Sequence, residues 1–159
     1  MALKRRLVRE KVLQALYAYE LSGEPVEFIV KHLLASLQKD REAFEFAAAF
    51  VRNVIGRSAE IDGIIQGHVE HWEFNRLAIL DKIILRMGIC ELLYYDDIPP
   101  KVSINESIEI AKLYSTEKSD KFVNGVLDSV LSDLTKSGKL KKSGRGLLNT
   151  KTHRKSSKK

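Results

Sequence analysis

The chain has 159 residues, 27 Lys or Arg against 21 Asp or Glu, a formal charge of +6 and a single cysteine. That length supports one domain, with room for two lobes, and a core needing no covalent staple; the lone Cys90 excludes an internal disulfide and fits a small buried hydrophobe in a reducing, cytoplasmic setting. Residues 136–159 hold ten of the cations and no acid, leaving 17 cations against 21 acids in the other 135 residues, so a uniformly basic nucleic-acid-binding body is excluded and any such site must be a local patch.

The basic start is not followed by an unbroken apolar segment, and no stretch is long enough to span a membrane. Neither a signal peptide nor a membrane partner is expected. Residues 3 to 20 read as the first helix, with Val8, Val12, Ala15, Leu16 and Tyr19 as its buried stripe. Lys4, Arg5, Arg6, Arg9 and Lys11 crowd its beginning. Cations there oppose the helix macrodipole, each at a cost of about 0.3–1 kcal/mol at low salt. A sequence shaped by stability alone places acids in that turn, and Glu10 alone does so. Rules broken at one place point to a working site. Arg6, Arg9, Leu13 and Tyr17 also fall along one side of the helix, next to the buried stripe. The cluster reads either as a solvated helix start or as a nucleic-acid contact.

Ser22-Gly23-Glu24-Pro25 is a turn, and Pro25 suits the first position of a second helix. Val26, Ile29, Val30, Leu33, Leu34 and Leu37 give that helix an apolar face up to about Gln38. Asp40 caps a third, running to about residue 71 with a bend or break near Gly56 to Ser58. Its stripe continues through Ile61, Ile64, Ile65, Val69 and Trp72. His68 and His71 have a spacing that could hold a metal, but no His-Glu-x-x-His motif or cysteine accompanies them, and no metal site is expected.

Glu73-Phe74-Asn75 reads as a break before a helix over 76–95. That helix is apolar nearly all round, which places it at the centre of its bundle. Arg86 and Glu91 are expected to be paired structural groups, because an unpaired buried charge is costly. Asp81 lies near the helix start, where a carboxylate is favourable.

Asp96-Asp97-Ile98-Pro99-Pro100 leads into the most informative stretch, Lys101 to Leu134. In its first half Ser103 and Glu106 have the spacing of a capping box. After a short break at Leu113 to Thr116, Val123, Leu127, Val130, Leu131 and Leu134 form one helical stripe. Phe122 lies outside that stripe and shares a face with Lys118, Lys121 and Gly125. Two cations, a ring and a glycine suit a single-stranded nucleic acid: cations neutralise phosphate, the ring stacks a base, and the glycine lets a backbone approach. The alternative is that Phe122 pads the edge of the core.

The strings INESIEIAK and KFVNGVLD, with Ile83-Ile84-Leu85-Arg86, Glu91-Leu92, Ile98-Pro99, Gln14-Ala15-Leu16-Tyr17 and the arginine-rich start, resemble the NusB family of bacterial transcription antitermination factors over roughly residues 3 to 134. The resemblance implies an all-α fold of two small helical bundles, with lobes at about 3–71 and 76–134, followed by a basic tail over 136–159 that composition marks as disordered. It implies binding of the boxA RNA element together with the small-subunit ribosomal protein NusE, and indirect association with other Nus factors and RNA polymerase. On that reading Lys4, Arg5, Arg6, Arg9, Tyr17, Lys118, Lys121, Phe122 and Asn124 contact RNA as one composite surface, and Asp81 faces NusE.

No glycine-rich phosphate loop, nucleophile elbow or paired-cysteine motif is present, so neither an enzyme nor a cofactor is expected. A NusB-like domain also occurs attached to ribosomal RNA cytosine methyltransferases, but this chain is too short to hold that enzyme. The competing reading is a helical protein-interaction module whose RNA affinity comes only from the tail.

Overall fold

A computed structural model describes residues 4–147. Every regular element among them is helical. The chain divides into two compact units joined between Ala59 and Glu60, earlier in sequence than the 71–76 stretch.

The first unit holds α1 (Arg5–Ser22), α2 (Val26–Leu33), a 3-10 turn (Ala35–Leu37) and α3 (Arg41–Gly56). Gly23 ends α1 in the left-handed region at φ 70°, and its N–H closes the last turn on the Tyr19 carbonyl. Asp40 caps α3 as expected, its carboxylate accepting from the Ala43 N–H at 3.1 Å. The three helices bury Val8, Val12 and Leu13 against Ile29, Val30, Ala47, Phe50 and Val51. The second helix stops short of Gln38: the backbone leaves α-geometry at Leu34, and a tighter 3-10 turn carries Leu37 into the core. The Arg52 guanidinium clamps Glu27 with two bonds of 2.8 and 2.9 Å, tying α3 to α2.

The long third helix breaks at Arg57, and α4 (Ser58–Gln66) carries the chain into the second unit. There α5 (His71–Arg76), α6 (Ile79–Tyr94), α7 (Pro100–Tyr114) and α8 (Ser119–Lys136) follow. The break expected at Glu73-Phe74-Asn75 is a helix instead. Glu73 folds back to accept the Glu70 N–H at 3.1 Å, and this nucleates α5 over those residues. Trp72, expected in the buried stripe, is 60% exposed on this short helix.

α6 is central, with Ile83, Ile84, Leu85, Met87, Ile89, Cys90 and Leu92 all buried and both α7 and α8 packed on it. At Gly88 the helices approach so closely that a Cβ would sit 2.9 Å from Leu127 and from the Ser107 hydroxyl. Arg86 pairs with Asp62 of α4 through bonds of 2.7 and 3.0 Å. Glu91 is buried and accepts from Ser103 Oγ at 2.8 Å. Ser103 is therefore no helix cap. α7 starts earlier, with Pro100 in its first turn, which carries Ser103 one turn inward as a buried cross-helix donor.

The basic segment begins inside the fold. After α8, Gly138 adopts φ 75°, and Lys142 reaches back to donate to the Glu91 and Tyr95 carbonyls at 3.0 and 2.7 Å. Those are carbonyls of the last turn of α6, where a cation is favourable. The Ser143 N–H binds the Asp96 carbonyl, and Gly146 is buried beside it. The remainder of the expected disordered tail, residues 148–159, lies outside the described residues.

Candidate nucleic-acid interface

In the first unit the basic residues at the start of α1 divide by environment. Lys4 and Arg6 are exposed. Arg5 is half-buried against α3, its guanidinium 3.9 Å from the centre of the Phe46 ring and 3.9 Å from a Glu42 carboxylate oxygen. Arg9 departs from the expectation. It is only 3% exposed, because it falls with Val8, Val12 and Leu13 on the inward side of α1. Such burial removes it from the set of outward-facing cations. Tyr17 is 37% exposed two turns further on, but Leu13 between them is buried, so the expected stripe Arg6-Arg9-Leu13-Tyr17 surfaces only at its ends.

In the second unit the first turn of α8 carries Lys118, Lys121 and Phe122. Both lysines are exposed, and neither has an ion-pair partner among the described residues. Phe122, beside them on the helix, is half-buried. Gly125 completes the face, and a Cβ there would meet nothing within 4 Å. A glycine in mid-helix costs about 1 kcal/mol relative to alanine, and no internal packing accounts for this one. The positive end of the α8 macrodipole adds to the attraction for an anion. The face can therefore neutralise phosphate beside a partly exposed aromatic ring. Asn124 is not part of it. It lies about 200° around the helix from Phe122 and lines a separate cleft between α7 and α8.

Asp81, the residue expected to face NusE, is tied into its own unit. It is 8% exposed, with one carboxylate oxygen accepting from Ser115 Oγ and the other from Ser119 Oγ at 3.1 Å. Its dipole-favoured position at the start of α6 is turned inward by α8, which packs on α6, so it braces the α7–α8 turn. By doing so it fixes the turn that presents Lys118 and Lys121.

Two features escaped the sequence reading. The His68 ring is held between Ser129 Oγ at 2.7 Å on Nδ1 and Asp133 at 3.0 Å on Nε2, which gives it a structural task linking the end of α4 to α8. The His71 side chain lies outside the described residues. The second feature is Trp72, whose exposed ring has the Arg76 guanidinium 5.9 Å from its centre. Of the two rings on α5, Phe74 is the buried one.

The NusB family profile matches residues 6–132. A transcription antitermination protein NusB from Chloroherpeton thalassium is 48% identical over 149 residues, covering 93% of this chain and 71% of its own length. The structure of NusB from T. maritima superposes with a TM-score of 0.78 at 40% identity, covering 84% of this chain and 94% of that one. A NusB chain from a crystal structure of the antitermination factors NusB and NusE in complex with dsRNA gives 0.74 at 29% identity, over 84% of this chain and 99% of that one. Among the described residues no helix is long and apolar enough to cross a membrane.

Proposed function

The chain belongs to the NusB family, and on that footing we propose that it is a non-catalytic, RNA-binding transcription antitermination factor. It binds boxA RNA together with NusE, and through them joins other Nus factors and RNA polymerase. The observation that carries this reading is the α8 face of Lys118, Lys121, Phe122 and Gly125: unpaired cations, a partly exposed ring and a glycine with no internal reason to be there. The relative solved with NusE and RNA supports the choice of partners.

RNA phosphates are neutralised by Lys4 and Arg6 on the first unit and by Lys118 and Lys121 on the second, with Tyr17 and Phe122 as stacking or packing rings. Arg5 and Arg9 support α1 from within its unit. NusE is received away from Asp81. The exposed Leu21 and Phe28, on either side of the α1–α2 turn, are the apolar side chains suited to a protein partner.

Titration of the protein with boxA and scrambled RNA, with and without NusE, tests the reading. It expects boxA to bind more tightly than the scrambled sequence and NusE to increase that preference. Equal affinity for both RNAs, unaffected by NusE, would instead favour a helical interaction module with a non-selective basic tail.

A further inference from the structure

The cleft between α7 and α8 has a volume of about 230 Å³, room for one nucleobase but not for a duplex. Its walls are two pairs of residues at helical i,i+4 spacing: Lys101 and Asn105 on α7, Asn124 and Asp128 on α8. Ile104, which is buried, lies at its apolar floor. Asn105, Asn124 and Asp128 are exposed, and among the described residues none of their side chains has a hydrogen-bond partner. Two primary amides and a carboxylate thus converge on an apolar slot with their hydrogen-bonding capacity unspent.

We infer that this cleft is a guanine-reading subsite for a base turned out of single-stranded RNA. The choice of guanine follows from donor count. A carboxylate only accepts, and guanine alone among the four bases presents two adjacent donors, N1–H and the N2 amino group, on its Watson–Crick edge. Asp128 takes both. The amide groups of Asn105 and Asn124 donate to the guanine acceptors O6 and N7. Adenine and cytosine each offer one exocyclic amine flanked by acceptors, and uracil one imide N–H, so each leaves a carboxylate oxygen facing a lone pair or nothing.

The cleft lies on the strand's route. Lys121 is seven residues before Asp128, which places the two within about 20° on α8, while Lys121 also borders Phe122. A phosphate held by Lys121 has a base stacked on Phe122 to one side and the cleft to the other. The inference rests on the proposed RNA-binding function and adds a base preference to it.

The test uses the full chain with NusE and single-stranded boxA-like RNA in which each guanine in turn is replaced by inosine or by adenine. Inosine removes only the N2 amino group and needs no protein variant. One guanine is expected to be sensitive, its replacement weakening binding about tenfold, the scale of a lost two-bond contact. Asp128→Asn is expected to shrink that difference, weakening the guanine RNA more than the adenine RNA, which offers the carboxylate no paired donors. Guanosine 5′-monophosphate, and not adenosine 5′-monophosphate, is expected to shift the side-chain amide resonances of Asn105 and Asn124. The inference is overturned if every guanine can be replaced without loss, or if Asp128→Asn weakens guanine and adenine RNAs equally. Phe122→Ala separates the two levels. If it weakens every RNA while no guanine matters, the RNA-binding function stands and the guanine site falls; if the wild-type protein binds no RNA, both fall.

Discussion

Asp81 Oδ2 accepts a hydrogen bond from Ser119 Oγ at 3.1 Å, and this joins the start of α6 to the first residue of α8. The same carboxylate holds Ser115, so the turn that presents Lys118 and Lys121 is braced by a buried acid. Asp81→Ala removes the carboxylate acceptor of Ser115 and of the buried Ser119, which keep only each other and Thr116 as hydroxyl partners. A loss of stability of about 1–3 kcal/mol is expected in urea denaturation, because hydrogen bonds to a charged acceptor are lost from a buried site. RNA affinity is expected to fall as well, although Asp81 touches no RNA. An unchanged melting curve would mean that the turn holds without it.

Gly88→Ala tests the packing of the second unit. The added methyl would lie 2.9 Å from Leu127 Cδ1 and from Ser107 Oγ, with α7 and α8 both fixed on α6. Overpacking of this kind costs about 1–3 kcal/mol. Gly125→Ala, facing open space, is expected to leave stability equal or slightly higher, and to weaken RNA binding. The two glycines thus separate packing from function in one pair of measurements.

Lys142 gives the fold a pH dependence of known sign. Burial pushes its ammonium down to about 8, against the opposing pull of Glu91, Asp96 and Asp97. Its folded value lies below the ordinary 10.5, so between about pH 8 and 10.5 the unfolded chain binds more protons than the folded one. Stability contributed at this site therefore rises as pH increases through that window, and the cost of the buried charge is fully present below it. Thermal melts of wild type and Lys142→Met between pH 7 and 10 measure the difference. The wild-type curve is expected to gain on the variant with rising pH.

Salt titration counts the phosphate contacts. If Lys118 and Lys121 each neutralise one phosphate of a single strand, they contribute about −1.4 to the slope of log affinity against log salt. Lys121→Ala is expected to make that slope shallower by about 0.7.

Much of the helical framework was legible because apolar periodicity is a local signal: the stripes of α1, α3 and α8 and the all-round burial of α6 can be read from spacing alone. The face of Lys118, Lys121, Phe122 and Gly125 was legible for the same reason, since residues at i−4, i−1 and i+3 of Phe122 share a side wherever the helix packs. The misread positions depend on what lies across from them. Ser103 looked like a cap because its partner Glu91 is on another helix. The bonds of Asp81 to Ser115 and Ser119, 34 and 38 residues later, are invisible to a local reading. Arg9 was placed beside the buried stripe of α1 with Arg6, Leu13 and Tyr17, although burial extends far enough round the helix to take it in with Val8 and Val12. At α5 a fold-back by Glu73 outweighed weak propensity over six residues. Lys142 was placed in a structureless tail because cation-rich composition carries no sign of the α6 carbonyls it caps.

The central claim is that the folded body, through Phe122 and its lysines, binds RNA selectively without the cations of residues 148–159. The direct measurement is the boxA affinity of a chain ending at Leu147, which keeps Lys142 in place, compared with the same chain carrying Phe122→Ala. The account predicts that the shortened chain still prefers boxA over a scrambled sequence and that Phe122→Ala weakens boxA binding by about 1–3 kcal/mol. Loss of all preference on shortening, or a Phe122→Ala effect no larger than that of an exposed control such as Leu113→Ala, would contradict it.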